Sequence, residues 1–212
     1  MVEQGTDEAA VGFRGEAKHI ARGVTNGGWR RVDPNEQPAA HVRHATRSVS
    51  TGSGKGSNVP KLKVGARAPA FTLTDQRGKK VKLSDFKGKS VVVYFYPKAD
   101  TPGCTTQSCA LSDAMPDLKK LKAVVLGISP DAPEKQRKFD AKYGLGFPLL
   151  ADEDHKVASA WGAWGKKSLY GREYMGIIRS AFVIDPQGKV AATFYKVSPK
   201  DTVPKAAAAL QG

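Results

Sequence analysis

The sequence predicts an α/β sandwich built around a mixed β-sheet, and three observations carry that prediction. Residues Val91 to Tyr96, VVVYFY, are an unbroken run of β-branched and aromatic residues, the pattern of a buried strand. Further apolar strand-like runs alternate with helix-patterned segments through the middle of the chain. Hairpin signals stand on either side of that middle, at Asp75-Gln76-Arg77-Gly78 and at Asp185-Pro186-Gln187-Gly188.

The elements follow in order from Val64. The segment APAFTLTDQRGKKVKLSDF alternates apolar and polar residues around the first turn signal, and Ser84 or Asp85 can cap a short turn behind it. The central strand runs from about Ser90 to Tyr96 and stops at Pro97, which has no N–H for a sheet ladder. A helix opens at Pro102 with Thr101 at its N-cap, and Pro116 kinks or restarts it with Ser112 or Asp113 as a fresh cap. Ala123 to Ser129 is an apolar strand. Asp131 and Pro133 open another helix, which carries Phe139 and Tyr143 four residues apart and closes at Gly144. A short strand at Pro148 to Ala151 and a helix near His155 to Trp161 come next, then a long loop from Gly162 to Gly176. The closing hairpin, Ser180 to Ile184 with Lys189 to Phe194, precedes a helix from about Asp201 to Leu210.

Residues 1–59 have a different texture. They mix Gly, Asn, Pro, Ser and both charges and end in SVSTGSGKGSN, a flexible-linker composition, so the expected organisation is a disordered extension before one domain over 60–212. They hold no apolar core of a secretory signal. Six arginines and a Ser/Thr-rich end lean towards a transit peptide, and six acidic residues lean against it. The expected location is the cytoplasm, or an organelle if the extension is a transit peptide. No run of about 18 apolar residues occurs, so no membrane span is expected.

Basic residues outnumber acidic ones by 34 to 20. Residues 1–59 hold 8 basic and 6 acidic residues, which leaves 26 and 14 for the rest. The excess could attract nucleic acid or another anionic partner, but the lysines are scattered and no aromatic-interleaved basic stripe accompanies them. A solvated lysine-rich surface is the expectation, with no nucleic-acid partner.

Two cysteines are the candidates for chemistry, and either could instead be buried and inert, as many free cysteines are. Cys104 falls in the first turn of the helix that opens at Pro102, where orphan backbone N–H groups and the positive end of the helix dipole favour a thiolate. An unperturbed cysteine, with a pKa of about 8.5, is only a few per cent ionised at neutral pH. Cys109 is the other cysteine. Five residues along an unbroken helix put the two α-carbons about 8.6 Å apart, beyond the roughly 7 Å that a disulfide tolerates. A bond between them therefore requires the helix to unwind locally. The pair is neither a disulfide framework nor a C-x-x-C dithiol, and with His19, His41 and His44 all before residue 60, no four-ligand zinc set assembles near it.

At YFYPKADTPGCTTQSCALSD the chain resembles a peroxiredoxin, and the close C-x₄-C on one helix resembles the Q branch, also called bacterioferritin comigratory protein. The motif is Pro97, Thr101 and Cys104 in P-x-x-x-T-x-x-C, and VVLGISPD, FPLLADEDHKVASAWGAWG and GIIRSAFVIDPQGKV are further matches over about residues 61 to 210. The resemblance implies a thioredoxin-like fold and thiol-dependent reduction of hydrogen peroxide and organic hydroperoxides, with no metal or flavin cofactor. It implies Cys104 as the nucleophile that becomes a sulfenic acid, with Thr101 holding thiolate and peroxide together and Pro97 shielding the pocket. Arg179, by position alone an ordinary surface arginine, becomes the cation over the sulfur.

By the same resemblance Cys109 is a resolving thiol, the disulfide is intramolecular, thioredoxin or a similar dithiol reduces it, and the protein is a monomer. Trp161 and Trp164 are expected to be packing residues, and His155 a capping or surface residue. A redox sensor or dithiol oxidoreductase without peroxidase turnover, and a basic binding module, are the alternatives. The helix from Pro102 is expected to open readily, since only a short apolar face holds it and Gly103 is a poor helix former.

Overall fold

The computed structural model describes residues 61–169 and 171–212. The extension expected over 1–59 lies outside the described residues. Strands β1 (Thr72–Asp75) and β2 (Lys80–Lys82) form the first hairpin. Asp75 Oδ1 accepts hydrogen bonds from the N–H groups of Arg77 and Lys79 across its turn, at 2.9 and 2.8 Å, so the aspartate fixes the register. A 3-10 turn at Leu83–Phe86 follows, with Asp85 accepting from the Lys82 N–H at 2.9 Å.

Strand β3 (Ser90–Phe95) leads through a loop to α1 (Pro102–Asp113) and α2 (Met115–Lys120). The chain then runs through β4 (Ala123–Ser129), α3 (Pro133–Tyr143), β5 (Leu149–Ala151) and α4 (Lys156–Ala160). Strands β6 (Trp164–Leu169), β7 (Arg172–Ile177), β8 (Ser180–Ile184) and β9 (Val190–Tyr195) precede the final helix α5 (Thr202–Gln211).

Seven strands form one mixed sheet in the order β2-β1-β5-β4-β3-β8-β9. β3, β4 and β5 are parallel, and the flanking pairs are antiparallel. This is the thioredoxin-like architecture. β3 has neighbours on both sides and both faces covered, which explains its lack of polar alternation. Val92, Tyr94 and Tyr96 point into a core with Leu111, Leu118, Phe139 and Ala206 of α1, α2, α3 and α5. Val91, Val93 and Phe95 point into the opposite core with Phe71, Trp161 and Phe182. A side chain at Gly127 of β4 would meet the Tyr94 hydroxyl at 2.8 Å and Leu149 at 2.9 Å, so glycine there lets the tyrosine lie flat across the neighbouring strand. Gly144, at φ 62°, terminates α3 in the left-handed conformation.

Several elements differ from expectation. The loop expected over Gly162 to Gly176 is a two-stranded ribbon, β6 paired with β7. Its residues Arg172 to Met175 are exposed, so no buried face imposed an apolar alternation on the sequence. The helix does restart near Pro116, but neither Ser112 nor Asp113 caps it. Ala114 takes that position with no side-chain bond, while Ser112 Oγ donates to the Leu145 carbonyl at 2.9 Å. His155 occupies the N-cap of α4 at φ 57° without capping it. The buried Asp152 does so instead, accepting from the Val157 and Ala158 N–H groups at 3.1 and 2.7 Å. The His155 ring stacks on Trp164, with centroids 3.9 Å apart, and Trp161 is fully buried. Among the described residues no helix is long and apolar enough to cross a membrane.

Candidate active site

The carboxyl ends of the neighbouring parallel strands β3 and β4 lie together at one end of the sheet, and the candidate residues collect there. The loop after β3, Pro97 to Thr101, is pinned on both sides. Its Ala99 N–H donates to Asp131 Oδ2 at 2.6 Å, behind β4. Asp100 stands at φ 60°, a conformation that residues other than glycine seldom adopt. Lys142 and Tyr143 of α3 donate to its carboxylate at 2.9 and 2.7 Å and hold it below the usual carboxylate range, the Tyr143 bond being the larger cause.

Thr101 sits at the N-cap of α1 with extended backbone, yet its hydroxyl does not cap the helix as expected. Thr101 Oγ1 donates to the Lys98 carbonyl at 3.0 Å instead, closing the loop on itself. Two consequences follow. The Gly103 and Cys104 N–H groups find no acceptor among the described residues, and the threonine oxygen keeps its lone pairs free to accept.

Cys104 is the third residue of α1 and is buried, 1% exposed, between the helix and the two stacked tyrosines of β3. Burial keeps the Tyr94 and Tyr96 hydroxyls ionising far above their ordinary range, so both stay neutral. Tyr94 Oη and Ser108 Oγ share a buried hydrogen bond of 2.8 Å that fastens α1 to the sheet.

Arg179 follows β7 and precedes β8, 75 residues from the thiol in sequence, and its Nη2 donates to Cys104 Sγ at 3.3 Å. Its Nη1 donates to Gln107 Oε1, and Gln107 Nε2 donates to Thr202 Oγ1 at 2.9 Å. The guanidinium is thereby held by a buried relay from α1 to α5. Gly103 has a role the sequence reading missed: a side chain there would meet Arg179 Nη2 at 3.3 Å, so the glycine admits the arginine.

The fold thus brings Arg179 onto Cys104, with Thr101 at the cap of the same helix and Pro97 half-buried at the head of the loop. Cys109 lies further along the unbroken α1, half-buried, and both cysteines are free thiols. Burial, and then Asp113 nearby, push the Cys109 thiol above the ordinary cysteine range. Gln107 and Thr202 were not anticipated. A signal for Gln107 existed, because it stands three residues after Cys104 and four before Leu111, on the buried face of the helix. The expectation that a short apolar face alone holds α1 is also corrected, since the buried bonds of Gln107 and Ser108 tether it as well.

The family model described as the AhpC/TSA family matches residues 64–193. The chain belongs to the AhpC/TSA family, in its Bcp/PrxQ branch of peroxiredoxins. It is 54% identical over 133 residues to the peroxiredoxin Bcp of Escherichia coli K12, a match covering 63% of this chain and 85% of the relative. It is 47% identical over 145 residues to the peroxiredoxin Bcp of Bacillus subtilis, covering 68% and 92%. Among solved structures it is similar to the bacterioferritin comigratory protein of Xanthomonas campestris, studied for alkyl peroxide reduction, with a TM-score of 0.66 and 33% identity over 70% of this chain and 98% of that one. The peroxidoxin BcpB of Mycobacterium tuberculosis is comparable, with a TM-score of 0.64 and 36% identity over 71% and 97%. This peroxiredoxin is therefore a thiol peroxidase.

Proposed function

We propose that this peroxidase works through Cys104 as the peroxide-reactive thiol and Cys109 as the thiol that resolves it. The observation that carries the reading is the Arg179 guanidinium 3.3 Å from a buried sulfur in the first turn of a helix. A fixed cation and orphan N–H groups at that point stabilise negative charge on sulfur and on the oxygen that leaves. The thiolate attacks one peroxide oxygen, an S–O bond forms and the O–O bond breaks. The electron pair departs on the other oxygen, which takes a proton and leaves as water or an alcohol. Sulfur loses two electrons and becomes a sulfenic acid.

Thr101 Oγ1, its own proton engaged by Lys98, accepts from the peroxide O–H and aligns it, and Pro97 screens the pocket without adding a competing donor. Cys109 then attacks the Cys104 sulfur and releases water as the S–S bond forms. A dithiol protein of the thioredoxin type reduces that bond and is itself oxidised to a disulfide. The protein acts as a monomer.

Peroxide consumption coupled to a thioredoxin regenerating system tests the roles. Cys104→Ser should abolish turnover, and Cys109→Ser should permit one oxidation of Cys104 but no recycling by thioredoxin. Wild-type rates in either variant would overturn its assigned role. Hydrogen exchange tests the geometry of resolution. With both cysteines on one helix, the disulfide form should lose protection across residues 101–112. Unchanged protection there, in protein shown by mass spectrometry to carry the Cys104–Cys109 bond, would refute it.

A further inference from the structure

At the end of the sheet away from Cys104, three segments of the chain close on a small cavity. The approach to β1 at Arg67 to Ala70, the 3-10 turn with the residues up to Lys89, and the turn between β8 and β9 supply its walls. Val91 of β3 and Ile184 of β8, paired across the sheet, complete the lining. Val91 stands near the start of β3 and Cys104 lies beyond its end, so the strand alone separates the two places by roughly 17 Å. The volume is about 120 Å³, close to the roughly 150 Å³ of an apolar cavity that admits benzene. Ala68 and Ala70 leave this space, because neither side chain reaches across it.

Backbone hydrogen bonds fix the walls. The Ala68 N–H donates to the Gly188 carbonyl at 3.0 Å and the Gly88 N–H to the Pro186 carbonyl at 3.0 Å, so two of the segments are stapled to the third. A site held open in this way admits a ligand without rearrangement. Its chemistry is divided. Leu83, Phe86, Val91 and Ile184 are apolar, whereas Arg67, Lys87 and Lys89 are exposed cations, and among the described residues none of the three forms an ion pair. Asp185 is the one carboxylate in the lining, and its Oδ1 is engaged by the N–H groups of Gln187 and Lys189 at 2.9 and 2.7 Å.

We propose that this cavity binds a small organic acid, whose apolar body, an aryl ring or a chain of about six carbons, fills the space while its carboxylate meets Arg67, Lys87 and Lys89 at the rim. The planar guanidinium of Arg67 matches a carboxylate, and the two lysines add unpaired positive charge beside it. A macromolecular surface fits less well. Among the described residues the large apolar side chains left exposed are Val64, Tyr174 and Met175, and none of them lines the cavity. Apolar surface is therefore confined to the cavity itself, which accommodates one short group and offers a protein or a bilayer no surrounding patch. The inference is independent of the roles proposed for the two cysteines.

The test follows amide chemical shifts of the isotope-labelled, reduced full-length protein by NMR, during titration with benzoate, benzyl alcohol or acetate in low-salt buffer without phosphate. Benzoate should saturate with a Kd of about 1 mM, the strength expected of so small a ligand, and should shift the amides of Ala68, Gly88, Val91, Ile184 and Gln187. Benzyl alcohol, which has the ring without the charge, should bind about tenfold more weakly, and acetate, which has the charge without the ring, should not saturate. Lys87→Gln with Lys89→Gln should weaken benzoate about fivefold and leave benzyl alcohol unchanged. Ala70→Leu should block both ligands while the rest of the spectrum remains that of the folded protein; if that variant does not fold, the lysine pair decides. No saturable shift with benzoate at tens of millimolar, equal affinity for benzyl alcohol, or shifts centred on Arg179 and Lys196 would overturn the proposal. Shifts seen with anionic phosphatidylglycerol vesicles and not with benzoate would mark a membrane contact and overturn it as well.

Discussion

Two stretches of α1, residues 102–108 and residues 109–113, are built differently. The first carries Cys104, Gln107 and Ser108, all buried, and side-chain bonds tie it to Arg179, to Thr202 of α5 and to Tyr94 of β3. The second carries Cys109 and is held by the buried Leu111 and by the Ser112 bond to Leu145, and it ends at Ala114 without a side-chain cap. The contrast fits the roles proposed for the two thiols. A nucleophile gains from a fixed position, whereas a resolving thiol on the same helix must travel to reach its target.

The largest effect is expected at the tether on the thiol itself. Arg179→Gln should slow oxidation of Cys104 by about 100-fold, the scale of losing one preorganised donor for a developing anion. Gln107→Leu should lose about tenfold, and nothing further in the Arg179→Gln background, because it acts only by holding the guanidinium. Rapid-mixing rates decide both. A Gln107 effect that persists undiminished without Arg179 would break the relay.

Ser108→Ala comes next. It leaves the buried Tyr94 hydroxyl without its partner and should cost about 1–3 kcal/mol in urea unfolding, much of it recovered by adding Tyr94→Phe. Full stability in the single variant would mean that the first stretch of α1 is not anchored there.

The Cys109 thiol sharpens the comparison through pH. While α1 is intact, burial and Asp113 hold this thiol above the ordinary range, so at neutral pH it is more protonated than a free cysteine. Disulfide formation that followed the folded helix would accelerate with pH well beyond about 8.5, the ordinary value. Because the helix must open first, the rate should instead level off near that value. A plateau displaced to higher pH would mean that attack occurs from an environment like the present one.

The smallest effect expected is none. A chain beginning near Val59 should retain the peroxidase rate, since every candidate side chain lies beyond it; loss of most activity in a folded shortened chain would contradict this.

What could be read from the sequence depended on how local its cause was. β3, the Pro102 start of α1 and the two Asp-anchored hairpins are encoded within a few neighbouring residues, and each appeared where periodicity and turn chemistry put it. Cys104 was legible from its place in the first turn of α1, but Arg179 only through the resemblance of whole segments, since nothing near it in the chain announces a partner 75 residues away. The β6–β7 ribbon escaped because its lysine- and glycine-rich strands cover no core, and strand patterning is a record of burial. The Thr101 hydroxyl was misplaced for a different reason: a cap residue has two local carbonyl and N–H choices, and the bend at Asp100 decided for the carbonyl of Lys98.

The relay through Gln107 also governs timing during synthesis. Thr202 follows Gln107 by 95 residues, so ribosomes adding about 5–20 residues per second expose Cys104 roughly 5 to 20 s before the far anchor of its arginine exists. Over that interval the nascent thiol lacks the assembled guanidinium that would make it reactive. If Cys104 and Arg179 have the roles proposed above, full reactivity toward peroxide arrives only when the last helix docks and completes the Gln107–Thr202 anchor.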